Sequence, residues 1–191
     1  MTPNLAGLFA LLPLAGLLLV IAWQDVRSHR IPNKLVLSGV VLGIGLNGLL
    51  PGGAGFNSGA LPGGLGWLGA LQGLGVGMAA LLPLYWLRAM GAGDVKLMAM
   101  VGAFLGLDDA LGAVLAIFIV GGVMALAVVL WSQQLGRLVQ NLKLILLGGL
   151  VKMSAGQSPL LDELPVSVGK LPYAVAITVG TFGYLAWQRV G

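Results

Sequence analysis

The chain contains no cysteine and a single histidine, His29. Without thiols there is no disulfide framework, no thiolate metal site and no cysteine nucleophile, and the redox compartment leaves no trace in the sequence. One histidine supplies neither an HExxH pair nor a matched partner for a serine hydrolase, so no metal or cofactor site is legible. Charge is scarce too. Six acidic and ten basic side chains make up 8% of 191 residues, against about 25% in soluble domains. Apolar residues fill the gap: they are 58% of the chain, and the mean hydropathy is +1.00. These values indicate an all-α integral membrane protein whose first partner is the lipid bilayer. The net charge of +4 reflects topology and carries no nucleic-acid signal.

Runs able to span a bilayer need about 17–25 residues. They are expected at 5–23, 33–50, 66–87, 95–106 with its flanks, 110–131 and 171–188, giving a polytopic bundle of six helices in one domain, residues 1–191. The fourth run reaches a useful length only if its first turn begins at or before Asp94. The first run lacks a basic n-region and a small-residue cleavage site, so it is expected to be a retained helix. The uncharged segment "PGGAGFNSGALPGGLG" reads as a linker. Thirty-two glycines, with spacings such as Gly39/Gly43, Gly69/Gly73/Gly77 and Gly102/Gly106, fit helices packed closely through small residues.

Sorted by loop, Arg27, Arg30, Lys34, Arg88, Lys96, Arg137, Lys143, Lys152 and Lys170 fall on one side, and Arg189 falls on the other. The positive-inside rule then puts both termini outside and the basic loops in the cytoplasm. Residues 135–153, "LGRLVQNLKLILLGGLVKM", have the leucine spacing and basic residues of an amphipathic helix lying in the cytoplasmic interface. A seventh span is the alternative there.

Of the six acids, Asp108 and Asp109 fall in a short turn, and Asp162 and Glu163 lie in a loop between Pro159 and Pro165; all four read as solvated. Asp25 closes helix 1 and Asp94 opens helix 4, which places both at one membrane depth. Local readings exist for each. Asp94 could be a helix N-cap, and Asp25 an interfacial residue paired with Arg27 or Arg30. Two further signals point beyond them. Asp25 precedes "VRSHRIPNKL", with a break at Pro32 and Asn33, and Asp94 follows "GAG", whose missing side chains let another backbone, such as an extended substrate, approach.

This pair of signatures resembles the type IV prepilin peptidases, membrane aspartyl proteases of the GxGD class. The resemblance runs from helix 1 to "KLPYAVAITVG" and is closest to the small Flp/Tad-type members. It implies that Asp25 and Asp94 are catalytic, that Ile31, Pro32, Asn33, Gly91, Gly93 and Lys96 belong to the motifs around them, and that prepilins and pseudopilins are the substrates. It also implies a multi-pass protein of the bacterial inner (cytoplasmic) membrane with its active site at the cytoplasmic face and no cofactor. The larger bifunctional members carry cysteine pairs in a cytoplasmic domain; none is present here, so methylation of the product is not part of the expectation.

Hydrolysis by two aspartates needs one carboxylate to take a proton from water and one carboxylic acid to polarise the carbonyl. At about 5 Å in an effective dielectric of about 20, like charges repel by roughly 3 kcal/mol, so such a pair shares a proton. Asp94, at a helix N-terminus with Lys96 close behind, is assigned the base and Asp25 the acid. Lys96, Arg27 and Arg30 could meet lipid phosphate or substrate, and His29 is expected in an exposed loop. A small proton-coupled transporter would place acids near the midplane of an inverted repeat, which is not seen. A non-catalytic pilus-assembly scaffold explains the glycines but not two acids at one depth.

Overall fold

The structure, a computed structural model, describes residues 5–49, 64–87, 90–131 and 172–190. Within these it consists of six helices: α1 (Leu5–Ser28), α2 (Asn33–Leu49), α3 (Gly66–Trp86), α4 (Ala92–Leu105), α5 (Leu107–Trp131) and α6 (Tyr173–Val190). No strand occurs among the described residues. The expected amphipathic helix at 135–153, most of the 51–66 linker, and Arg88, Asp162 and Glu163 lie outside them.

Three helical segments are long and apolar enough to cross a membrane: Leu11–Ser28, Gly66–Trp86 and Leu107–Val128. The shorter α2 is apolar as well. The fourth helix starts at Ala92, two residues before Asp94, yet has only 14 residues, about 21 Å at 1.5 Å per residue. Every residue of α4 except Ala92, Gly93 and Lys96 is buried. It is the central element of the first of two compact units, which comprises Met1–Gly121 and Pro172–Gly191. The second unit is Gly122–Leu171. Its described part is the end of α5, where Val123, Leu126, Leu130 and Trp131 are exposed.

In the first unit the buried face of each outer helix is a narrow stripe at helical spacing. On α1 it is Leu14, Leu18, Ile21 and Asp25; on α2, Val36, Gly39, Gly43 and Asn47; on α3, Ala70, Gly73, Gly77 and Leu81. The outward faces carry large apolar side chains, among them Leu19, Val20, Leu37, Val41, Leu68, Leu71, Leu115 and Ile119. The small and polar residues on the inner faces of α2 and α3, with bulky hydrocarbon outside, follow the pattern of helices packed in lipid, where close backbone approach drives association.

The glycine spacings read from the sequence act largely in this way. A Cβ at Gly73 would run into the Gly102 carbonyl, one at Gly102 into the Gly73 carbonyl, and one at Gly77 into the Met98 carbonyl. So α3 and α4 touch backbone to backbone. On the other side of α4, Gly39 receives Met100, and Gly43 receives Phe104 and the Ala103 backbone. Gly69 is an exception, since it faces Leu65 of the preceding turn. Gly106, at φ 83°, makes the corner between α4 and α5, a left-handed conformation that glycine adopts without the Cβ penalty. Its N–H donates to the Gly102 carbonyl at 2.9 Å. Asn47, fully buried, donates from Nδ2 to the carbonyls of Ala103 and Phe104, each at 3.0 Å, and of Gly43 at 3.2 Å.

Replacing Gly102 with valine should therefore destabilise the protein by about 1–3 kcal/mol or more, since the backbones on both sides cannot yield. Gly75, where an added methyl would meet nothing within 4 Å, should accept alanine with a gain of about 0.4–1 kcal/mol. Unfolding in mixed micelles measures both, and equal effects would refute the backbone contact.

Candidate active site

Asp25 continues the buried stripe of α1, one turn beyond Ile21, and is 6% exposed. The helix runs on to Ser28, so Asp25 lies inside its last turns and not after its end, as the expected span 5–23 implied. His29 closes the helix at φ 48°, exposed as expected, and its N–H donates to the Asp25 carbonyl at 2.8 Å. The pairing of the alternative local reading, Asp25 with Arg27 or Arg30, does not form. Arg27 lies over the Trp23 ring at 4.2 Å, and the Asp25 carboxylate turns inward, where Oδ2 accepts the Ala174 N–H of α6 at 3.1 Å. Ala174 is the second residue of α6, and Pro172, before it, has no hydroxyl or carboxylate with which to cap. Asp25 thus supplies from 149 residues away the acceptor that a local N-cap would normally provide.

Asp94 is 9% exposed. It is not the N-cap of α4. That position is Gly91, with φ −81° and ψ 154°, and Asp94 is the third helical residue. Its Oδ2 accepts the Gly91 N–H at 3.0 Å, while its own N–H donates to the Gly91 carbonyl at 3.1 Å. One oxygen of each carboxylate is thus held by a helix N-terminal N–H. Neither Oδ1 has a hydrogen-bond partner among the described residues. Asp25 and Asp94 lie within electrostatic reach of one another, and Tyr173, the first residue of α6, lies within reach of Asp94. Since each carboxylate accepts from a helix N-terminus, Asp94 from that of α4 and Asp25 from that of α6, that feature distinguishes neither as the base.

The segment between α1 and α2 meets the start of α4 directly. A Cβ on Gly93 would come within 3.0 Å of Ile31 Cβ and 3.2 Å of Ile31 Cδ1. The missing side chain at Gly93 therefore makes room for Ile31, not for a substrate backbone. Gly91 is exposed, and a Cβ on it would stand 3.4 Å from Asp94 Oδ2. Pro32 precedes α2, its carbonyl accepting the Val36 N–H at 3.3 Å. Lys96, exposed, donates from Nζ to Asn33 Oδ1 at 3.2 Å, so it is directed at Asn33 and not at Asp94. The residues on either side of the two acids thus interlock in two places.

A model of the type IV leader peptidase family matches residues 12–126, which include both aspartates and both motifs. The chain belongs to the type IV leader peptidase family. No curated protein and no solved structure matches it. The match stops before α6, whose N-terminus completes the surroundings of both acids in this peptidase. Among the described residues no three of His, Asp and Glu converge as a metal ligand set would.

Sequence reasoning missed the part played by α6, and it misplaced Asp109. Asp108 is exposed as expected. Asp109 is half-buried and accepts at Oδ1 from Tyr184 Oη at 3.0 Å and Gln188 Nε2 at 2.8 Å, joining α5 to α6. The correction has a plain cause: the turn before α5 is one glycine, so Asp109 begins a helix facing α6 and is not lifted into solvent.

If Ile31 fills the space at Gly93, the two positions must be coupled. Gly93→Ala and Ile31→Ala should each lower stability, and the double variant should recover about 1 kcal/mol relative to their sum. Additivity within about 0.5 kcal/mol in micellar unfolding would break the proposed link between the segments.

Proposed function

We propose that the protein is a membrane aspartyl endopeptidase that removes the short cytoplasmic leader of type IV, Flp-like prepilins and pseudopilins, with Asp25 and Asp94 as its catalytic pair. The observation that carries this reading is the placement of two buried carboxylates from α1 and α4 within electrostatic reach, each with one oxygen held and one unengaged. Family membership supplies the peptidase chemistry.

The reaction needs one proton on the pair. The carboxylate takes a proton from water as the water oxygen attacks the scissile carbonyl carbon, and the carboxylic acid gives its proton to the carbonyl oxygen. Collapse of the tetrahedral intermediate returns that proton to the acid. The proton taken from water passes to the leaving nitrogen as the C–N bond breaks. The held oxygens fix the carboxylates, leaving the other two for water and substrate.

Asparagine keeps the shape of aspartate and can still accept one N–H, so Asp25→Asn and Asp94→Asn should insert and fold. Each should abolish cleavage of a co-expressed prepilin, and the double variant should be no worse than either single one. Asp108→Asn, at an exposed position, should stay active. Near-normal processing by a folded Asp94→Asn variant would reduce Asp94 to a helix-capping role and end this assignment.

We further place the protein in the bacterial inner membrane with six spans, both termini outside, and the ends of α1 and α4 that bear Asp25 and Asp94 at the cytoplasmic face. The basic residues at the α1–α2 turn, Arg27, Arg30 and Lys34, are exposed at that end, as the positive-inside rule requires. Reporter fusions at Ser58 and Gln157 should report opposite sides. A cytoplasmic signal at Ser58 would put the acids on the wrong face for prepilin leaders.

A further inference from the structure

Three tyrosines occur in the chain: Tyr85, Tyr173 and Tyr184. Tyr85 is exposed on α3, and Tyr184 commits its hydroxyl to Asp109 and Gln188. Tyr173 differs from both. It is the first residue of α6, next to Ala174, whose N–H holds Asp25, and its phenol lies within electrostatic reach of Asp94. The ring is half-buried against the core. Its Cε1 lies 3.4 Å from where a Cβ on Gly121 would stand, so α5 backs the ring on one side. Its hydroxyl has no hydrogen-bond partner among the described residues.

The geometry points to Tyr173 as a third catalytic residue, whose O–H donates a hydrogen bond to the scissile carbonyl oxygen as negative charge builds there. The inference rests on reading Asp25 and Asp94 as the pair that activates water. A carbonyl oxygen has two lone pairs; the carboxylic acid engages one, and the phenol engages the other. No proton leaves the phenol, so the proton balance of the hydrolysis is unchanged. A pre-placed donor of this kind acts on the charge that develops in the transition state more than on the ground-state carbonyl. It should therefore appear in kcat and not in KM.

Tyr173→Phe keeps the ring against Gly121 and the Ala174 N–H on Asp25, and removes only the donor. With full-length protein in micelles and a synthetic precursor peptide carrying a charged leader, kcat should fall about 100-fold while KM stays within about twofold. A peptide with a hydroxyethylene group replacing the scissile amide mimics the tetrahedral centre, and its binding should weaken by a similar factor. Binding of the free leader peptide should not change. Incorporating 3,5-difluorotyrosine at position 173 retains shape and donor but makes the phenol more acidic. Activity should then be lost at a lower pH than in the wild type, as the donor deprotonates. A kcat within about threefold of wild type for Tyr173→Phe, equal weakening of both peptides, or an unchanged pH profile for the fluorinated protein would each overturn the inference. Asp94→Asn run alongside separates the two claims. An inactive Asp94→Asn with a fully active Tyr173→Phe defeats only the role of Tyr173, whereas an active Asp94→Asn defeats the catalytic pair on which it depends.

Discussion

The fold depends on a short central helix being buried on nearly every side. At 14 residues, α4 is enclosed because its neighbours present glycine where other helices would present side chains. Gly73 and Gly77 meet it as backbone, and Gly39 and Gly43 receive its Met100 and Phe104. Lipid provides no hydrophobic drive to bring apolar helices together, so the attraction must come from dispersion over surfaces in direct contact. Many bulky side chains, such as Leu19, Leu37, Leu68 and Ile119, are accordingly left on the outside, where hydrocarbon solvates them at no cost.

From that arrangement follows the environment of the two acids. Burying a carboxylate is expensive unless its oxygens are engaged. Here each is partly compensated by a helix N-terminal N–H, one within its own helix and one across the fold from α6. Asp25 therefore serves the architecture as well as the proposed chemistry, because without it the first turn of α6 loses an acceptor. The same bond holds the start of α6 against Asp25, and with it Tyr173, the residue before Ala174.

Much of the fold was legible because helices in lipid announce themselves by length. The observed boundaries follow the expected runs closely, and α4 begins before Asp94 as its shortness demanded. Glycine spacing correctly marked the contact faces of α2, α3 and α4. The stripe Leu14, Leu18, Ile21, Asp25 also carries a signal for burial, since an acid falling in register with a buried face is itself placed inside. What could not be read were relations between distant segments. Nothing near Asp25 announces that its partner is Ala174, nothing near Gly93 names Ile31 as its occupant, and Tyr184 gives no local hint of Asp109. Each is decided by how helices dock, which periodicity alone does not specify.

Asn47 sits at the far end of α4 from Asp94 and grips two carbonyls of its last turn, those of Ala103 and Phe104, as well as one from its own helix. A side-chain amide there works as a stop on a piston. Sliding α4 along its axis by one turn, about 5.4 Å, would break those bonds and carry Asp94 out of line with Asp25. The depth of Asp94 is thus set partly by a polar residue on α2 at the opposite end of the helix, and alignment at one face of the bundle is a property of its whole thickness.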